Sequence, residues 1–409
     1  MAEQPRDDLL PREPIHKITE PVQRVLHVEA ASGVLLLICT AIALILANSA
    51  AGEWYVALWK TKVGFTFGDF TMKHSLQHWI NDGLMAIFFF VVGLEVKREM
   101  VTGELRDAKR AALPVFAAIG GMVVPAGIYL LLQGGTVAAR GWGIPMATDI
   151  AFVVGCMAVL GPRVPHILRV MVLSLAIVDD IGAILVIAVG YTDNVDLVAL
   201  FLGFALLGLI FVLGRLGVRS FIVYTILGTL VWLGFHESGV HATIAGVLLG
   251  LLTPARSYVS EGFLGSLLGR AADLVHGGGF EGLSRRADRI RNFLRTTRES
   301  ISPLEYLEAT LHPWVGFLIV PLFALANAGV PFELSDFGSP IALAVMVGLV
   351  VGKPLGIVLA SWLAVRLVLK KLPEGLSWGG IVGAGCLAGI GFTMALFIAG
   401  LALDGGILD

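Results

Sequence analysis

The sequence predicts an all-α polytopic membrane protein, and three observations predict it. Of the 409 residues, 56% are hydrophobic and only 15% are charged, against roughly 25% charged in a soluble domain; the mean hydropathy is +0.85. Crossing a hydrocarbon layer about 30 Å thick takes on the order of 20 mainly apolar residues as a helix, and such stretches recur along the whole chain. Finally, Lys and Arg concentrate in alternate connections between them, the pattern of cytoplasmic loops.

Eleven spans are read at 30–48, 79–100, 111–132, 142–160, 166–191, 195–214, 219–236, 239–252, 311–331, 339–369 and 377–403. Before them, residues 1–26 form a Pro-dotted tail mixing Asp7, Asp8, Glu13 and Glu20 with Arg6, Arg12 and Lys17, a layout that fits no cleavable signal peptide. Between spans 1 and 2, KVGFTFGDFTMKHS alternates apolar and polar side chains around Gly68 and Asp69, which suits a short exposed hairpin. Basic residues follow span 2 (Arg106, Lys109, Arg110), span 4 (Arg163, Arg169), span 6 (Arg215, Arg219), span 8 and span 10 (Arg366, Lys370, Lys371), while YTDNVD, FHESG and VPFELSDFGS are acidic or neutral. Arg140 is the one exception to this alternation. The N-terminal tail is therefore expected in the cytoplasm, and eleven crossings put Asp409 outside.

The chain divides into that tail, spans 1–8 over 27–252, a cytoplasmic basic loop over 253–308, spans 9–11 over 309–403 and a short tail over 404–409. Within the loop, Phe280, Leu283, Ala287, Ile290 and Leu294 recur at steps of three and four among Arg285, Arg286, Arg289, Arg291, Arg295 and Arg298. This is one helical face, fitted either to anionic headgroups or to the protein's own cytoplasmic surface. The net charge of −2 gives no nucleic-acid footprint. Cys39, Cys156 and Cys386 lie far apart in apolar runs; without a CxxC pair they indicate neither disulfide nor zinc, and are expected to pack in the core.

The informative residues are the charges inside apolar spans: Asp149 in span 4, Asp179 and Asp180 in the middle of span 5, and Lys353 in span 10. Each costs on the order of 2.5–3.5 kcal/mol at a helix centre on insertion scales, and such groups face the protein interior or water. Consecutive helical positions differ by about 100°, so the two adjacent aspartates address different partners. A purely structural Asp179–Lys353 pair would leave Asp180 and Asp149 unexplained. Desolvation and a like-charged neighbour both favour the protonated form of a carboxylate, and a group poised in this way exchanges a proton for a metal cation.

Backbone signals point to the same region. Span 4 opens GIPMATDIAF, where Pro145 removes a donor just before Thr148 and Asp149, and span 11 contains GAGCLAGIGFTMA, where Gly389 and Gly391 weaken a helix near its midpoint. Each break taken alone is also explained by close glycine packing. Broken helices in a membrane line a cavity or are covered by protein, and their free carbonyls and half-helix ends suit an ion site. At the end of span 2, VGLEVKRE sets Glu95, Arg98 and Glu99 at helical spacings; this is either a solvated helix end or a pH-sensitive gate. Asn81 and Asp82 near the opposite end fit an interface or an exit path, and His241 a satisfied core or helix-end histidine, with pH sensing as the alternative.

With these residues in view, the chain resembles the NhaA family of sodium/proton antiporters. The resemblance runs from span 1 to span 11 and rests on WINDGLMAIFFFVVGLEVKRE, AIGGMVVPA, IPMATDIAF, LAIVDDIGAI, SGVHATIAGV, LHPWVGFLIVPLFALANAGV, VGKPLGI and GIGFTMALFIAGLA. It implies an inverted-repeat antiporter fold with two crossing discontinuous helices. It implies a cation site of Asp179 and Asp180, with Asp180 the direct Na⁺ ligand; Thr148 and Asp149 at the unwound crossing; Lys353 paired with Asp179; and a pH-response cluster of Glu95, Arg98, Glu99 and Glu308. The implied activity is pH-regulated, electrogenic exchange of Na⁺ or Li⁺ for H⁺ by alternating access. That is a transporter, not an enzyme, needing no cofactor, held in the lipid of a bacterial inner membrane, with a homodimer as a further expectation. The family fold has twelve spans, whereas this sequence stops in DGGILD before a twelfth; its 253–308 loop looks longer than the family's, and position 309 is Ala where the family pattern carries a second histidine.

Two other readings compete. A sodium-coupled carrier of an organic solute needs a larger pocket with recognition groups, for which the sequence offers no candidates. An intramembrane aspartyl protease needs paired carboxylates to activate water, from facing helices rather than from neighbouring positions.

Overall fold

Lipid offers the backbone no hydrogen-bond partner, so apolar runs close their bonds within themselves as helices. A computed structural model of the protein describes residues 29–67, 70–192, 195–218, 220–256, 301–331 and 337–403. The chain enters through α1 (Glu29–Ala47), which turns by 113° into α2 (Gly52–Lys60). Strands β1 (Lys62–Phe67) and β2 (Phe70–Ser75) pair antiparallel from Lys62↔Ser75 to Phe67↔Phe70, the hairpin that the alternating pattern predicts.

The helices that follow are α3 (Leu76–Val101) and α4 (Ala108–Gln133), a 3-10 segment (Val137–Met146) leading into α5 (Ile150–Leu160), then α6 (His166–Gly190), α7 (Leu197–Arg215), α8 (Phe221–Glu237) and α9 (Thr243–Leu252). After the basic loop come α10 (Pro303–Asn327) and α11 (Pro340–Leu369), then α12 (Trp378–Ala388) and α13 (Phe392–Leu403). Among the described residues, seven helical segments are long and apolar enough to cross a membrane, and the bent pairs α1/α2 and α12/α13 raise this to nine; α8 and α9 are shorter apolar helices. Each of the eleven ranges read from the sequence coincides with one of these segments. Residues 257–300 of the predicted basic loop, with its 280–294 apolar face, lie outside the described residues, as do 1–28 and 404–409.

Helix α6 is central and α7 peripheral: 56% of the apolar window of α6 is buried but only 17% of that of α7. The surface of α7 carries exposed Leu197, Val198, Phe201 and Leu202, an apolar face of the kind that marks a membrane or protein contact. The cysteines show the same limit of hydropathy as a guide to burial. Cys386 is exposed, and Cys39 and Cys156 only half-buried, so the expected core placement is wrong. In a membrane the lipid face and the core are both apolar, and composition does not separate them.

Helix α4 packs along α11, and α3 along α9. The first contact depends on small residues, as membrane helix pairs commonly do. A Cβ on Gly356 would stand 2.1 Å from the carbonyl oxygen of Gly120, and one on Gly120 would stand 2.3 Å from that of Gly356. Gly356→Val should therefore lower the unfolding midpoint in detergent, with an overpacking cost of roughly 1–3 kcal/mol. Gly127→Val, on the partner helix α4 but with nothing within 4 Å of the added Cβ, should change it little. Equal effects of the two would contradict this packing.

Candidate cation site

Two spans are interrupted near their middles, and their loose ends meet. The 3-10 segment ends at Met146 and α5 begins at Ile150; α12 ends at Ala388 and α13 begins at Phe392, after a 48° bend. The strands of non-helical backbone touch: the Asp149 amide donates to the Ile390 carbonyl at 2.9 Å. Gly391 permits this approach, since a Cβ there would lie 3.0 Å from the Ala147 oxygen, and one on Gly389 would lie 2.6 Å from the Leu349 oxygen. Neither glycine has a positive φ, so clearance rather than backbone freedom is their use. Pro145 lies inside the 3-10 segment rather than at the break, packed against α11 where a Cβ on Gly348 would come within 2.7 Å of its ring.

Several of the loose ends find partners in residues named from the sequence or close to one. Asp149 is the N-cap of α5, where Oδ1 accepts from the Phe152 amide at 3.0 Å. Its Oδ2 accepts from the Thr393 amide at 3.1 Å and from the Thr393 hydroxyl, in the first turn of α13. One carboxylate thus sits at the positive ends of two half-helices, where helix dipoles favour an anion. On the negative side, the Thr148 hydroxyl lies 2.9 Å from the Ala388 carbonyl, and the Lys353 ammonium donates to the Met146 carbonyl.

Asp179 and Asp180 approach this crossing from α6, with 2% and 3% of their surface exposed. Asp179 Oδ2 lies 2.9 Å from Lys353 Nζ and 2.7 Å from the Thr148 hydroxyl. That hydroxyl faces two acceptors with one proton, so both contacts are hydrogen bonds only when Asp179 carries a proton and donates it to Thr148. Lys353 is fully buried and begins the regular part of α11 immediately after a π-helical turn over Gly348–Gly352, a local irregularity that often marks functional positions. Asp179 Oδ1 and Asp180 Oδ2 are buried with no hydrogen-bond partner. Buried carboxylate oxygens are normally satisfied, and two orphans on adjacent residues are the donor set that a hard cation takes.

A second group gathers at the C-terminal end of α3. Arg98 pairs with Glu308 of α10 and lies 3.7 Å from Glu99, while Glu95 Oε1 is 3.5 Å from His312 Nδ1. None of these makes an ion pair or hydrogen bond with the aspartates among the described residues. Three participants escaped the sequence reading. Thr393 follows the Gly391 break where a helix start wants a hydroxyl. His312 lay within the LHPW motif. Asn327 clasps Asn81 by bonds of 2.8 and 3.0 Å near the other end of α3, and a lone amide in an apolar span was its only signal.

Crossed, interrupted spans with carboxylates at their meeting point define a multi-pass membrane transporter. The family model described as Na+/H+ antiporter 1 matches residues 23–408. A Na(+)/H(+) antiporter NhaA of Rhodopirellula baltica is 55% identical over 401 residues, covering 98% of this chain and 91% of that protein. One of Rhizobium meliloti is 53% identical over 404 residues, covering 98% and 91%, and an NhaA 2 of Acidiphilium cryptum is 48% identical over 405, covering 99% and 90%. The chain belongs to the Na⁺/H⁺ antiporter 1 family, a family of transporters and not of enzymes.

Because one cap typically contributes about 1 kcal/mol, Asp149→Ala, which uncaps two half-helices, should reduce stability in chemical denaturation by about 2 kcal/mol. Asp149→Asn, which keeps an acceptor, should lose visibly less. Indistinguishable unfolding curves for the two variants would show that the double cap does not hold the crossing.

Proposed function

We propose that this protein exchanges Na⁺ or Li⁺ for H⁺ by alternating access at Asp179 and Asp180, with Asp180 the direct cation ligand. The observation that supports this most is the pair of unpartnered carboxylate oxygens, Asp179 Oδ1 and Asp180 Oδ2, on adjacent buried residues beside the crossing. A bare carboxylate is costly in such a place; a proton or a cation relieves that cost, and the two compete because the ligand must be deprotonated. High pH favours loading of Na⁺, and low pH displaces it. The cations and protons are cargo, and the exchange needs no cofactor.

In this reading Asp179 leaves Lys353 as the cation engages both carboxylates, and Lys353 shares in the proton handling. More protons than cations then cross, which makes the exchange electrogenic. Lys353 also holds the Met146 carbonyl, so loading at the aspartates is felt directly at the break in span 4. Glu95, Arg98, Glu99 and Glu308 form the pH-responsive gate, joined by His312. The basic loops support an N-terminus in the cytoplasm of a bacterial cell with the protein in its inner membrane, the exposed apolar face of α7 suits lipid, and a homodimer is carried over from the family resemblance. A carrier of organic solutes has less support, since apart from the two free carboxylate oxygens the polar side chains described at the crossing, Asp149, Thr148, Lys353 and Thr393, are bonded to one another or to backbone.

Proteoliposomes with an acid interior should alkalinise when Na⁺ or Li⁺ is added outside, and Asp180→Asn should abolish the response; persisting exchange in that variant would remove Asp180 from the site. Arg98→Gln takes away the guanidinium beside Glu99 and Glu308. It should leave the maximal rate near that of the parent and move the pH of half-maximal exchange toward alkaline values. An unchanged pH profile would assign the cluster to structure alone.

A further inference from the structure

At the end of α3 remote from Arg98, three histidines from three elements converge. His74 lies near the end of β2, His78 in the first turn of α3 and His236 in the last turn of α8. One ring nitrogen of each lies within 4.8 Å of the others. The rings of His74 and His78 stack at 4.2 Å, and His236 stands at 5.3 and 5.6 Å from them. We propose that His74, His78 and His236 bind a divalent metal ion of the Zn²⁺ class, which fastens the β-hairpin to the ends of α3 and α8.

The donor set selects the ion. Neutral imidazoles suit Zn²⁺, Cu²⁺ or Ni²⁺, whereas the transported alkali cation is a hard ion served by carboxylate oxygen, so the two sites do not compete for one cargo. Zn–N bonds of 2.0–2.1 Å in a tetrahedron set the nitrogens about 3.3 Å apart, which the rings reach by side-chain rotation of order an ångström. Three protein ligands leave the fourth position to water.

The surroundings supply the orienting group that metal-binding histidines normally have. Asp82 Oδ2 stands 3.4 Å from His78 Nε2 and 3.4 Å from His236 Nδ1, and a carboxylate behind a histidine fixes its tautomer and raises its basicity as a ligand. This leaves Nδ1 of His78 and Nε2 of His236 for the ion. His78 Nε2 is itself buried without a hydrogen bond, an omission that a small closure toward Asp82 would repair. His78 and Asp82 stand four positions apart in α3, a spacing that sets both side chains on one side of the helix.

The competing account is an aromatic belt at the membrane interface, since His236 also stacks on Trp232 at 5.5 Å and Trp232 on Trp79 at 6.4 Å. Metal titration separates them. The full-length chain, purified in detergent without a polyhistidine tag and stripped with EDTA, is titrated with Co²⁺ and then Zn²⁺. The proposal expects a visible Co²⁺ absorption band that saturates at one ion per chain, is bleached by Zn²⁺, and is lost in His74→Gln and in His236→Gln. Asp82→Asn should weaken the affinity by about 10–100-fold. Zn²⁺ should also raise the unfolding midpoint of the parent but not of His74→Gln, whose metal-free midpoint should match the parent's because His74 lies in a surface hairpin. Absence of the band, or an unchanged titration in His74→Gln, leaves only the aromatic belt and overturns the proposal.

Discussion

Two helices broken within hydrocarbon leave amides and carbonyls that no solvent can satisfy, and the rest of the structure follows from how those groups are met. Water is absent, and each unpaired group would cost several kcal/mol. The amide ends of α5 and α13 converge on the carboxylate of Asp149. The carbonyl ends are met by the Thr148 hydroxyl, the Asp149 amide and the Lys353 ammonium. An anion and a cation are thus built into the middle of the membrane for structural reasons before any ion is transported. A site for exchange needs little more, only carboxylates that this arrangement does not consume.

Asp179 is half consumed and Asp180 is not. Lys353 and Thr148 both address the same oxygen of Asp179, leaving its other oxygen and one of Asp180 without partners. Lys353 therefore does two jobs that conflict. It neutralises Asp179, and it completes the broken backbone at Met146. In the proposed exchange, a change in what the aspartates hold changes what Lys353 can hold, and with it the geometry of the break. Thr148 repeats the coupling on a smaller scale, because its single proton serves Asp179 or Ala388 but not both unless the carboxyl brings its own.

The sequence made the large features legible because lipid permits so few solutions. Long apolar runs had to be helices, and KVGFTFGDFTMKHS had to be something else. Charges stood out in apolar spans because each carries an insertion cost, which is how Asp149, Asp179, Asp180 and Lys353 could be picked without any structure. Less legible was what each group touches. Asp149 could be read as a group offsetting dipoles, but its bond to Thr393 spans 244 positions, and nothing local announces it. The glycines at 389 and 391 carried two readings, a weakened helix and close packing, and both hold: the span bends by 48° there and the backbones approach closely. Pro145 marked the interruption a few residues early. Cys386 faces outward because apolar patterning in a membrane does not distinguish lipid from core. The three histidines were missed because His236 lies far from His74 and His78 in sequence, and only the hairpin brings them together.

The central claim is that Asp180 and Asp179 hold the cation while Asp149 holds the fold. Tl⁺ is an anomalous scatterer with the charge of Na⁺, and diffraction from crystals grown at alkaline pH with Tl⁺ replacing Na⁺ tests the claim most directly. The account predicts an anomalous peak between Asp180 Oδ2 and Asp179 Oδ1, with the Asp149–Thr393 bonds intact. A peak on Asp149 with the two adjacent aspartates empty would contradict it.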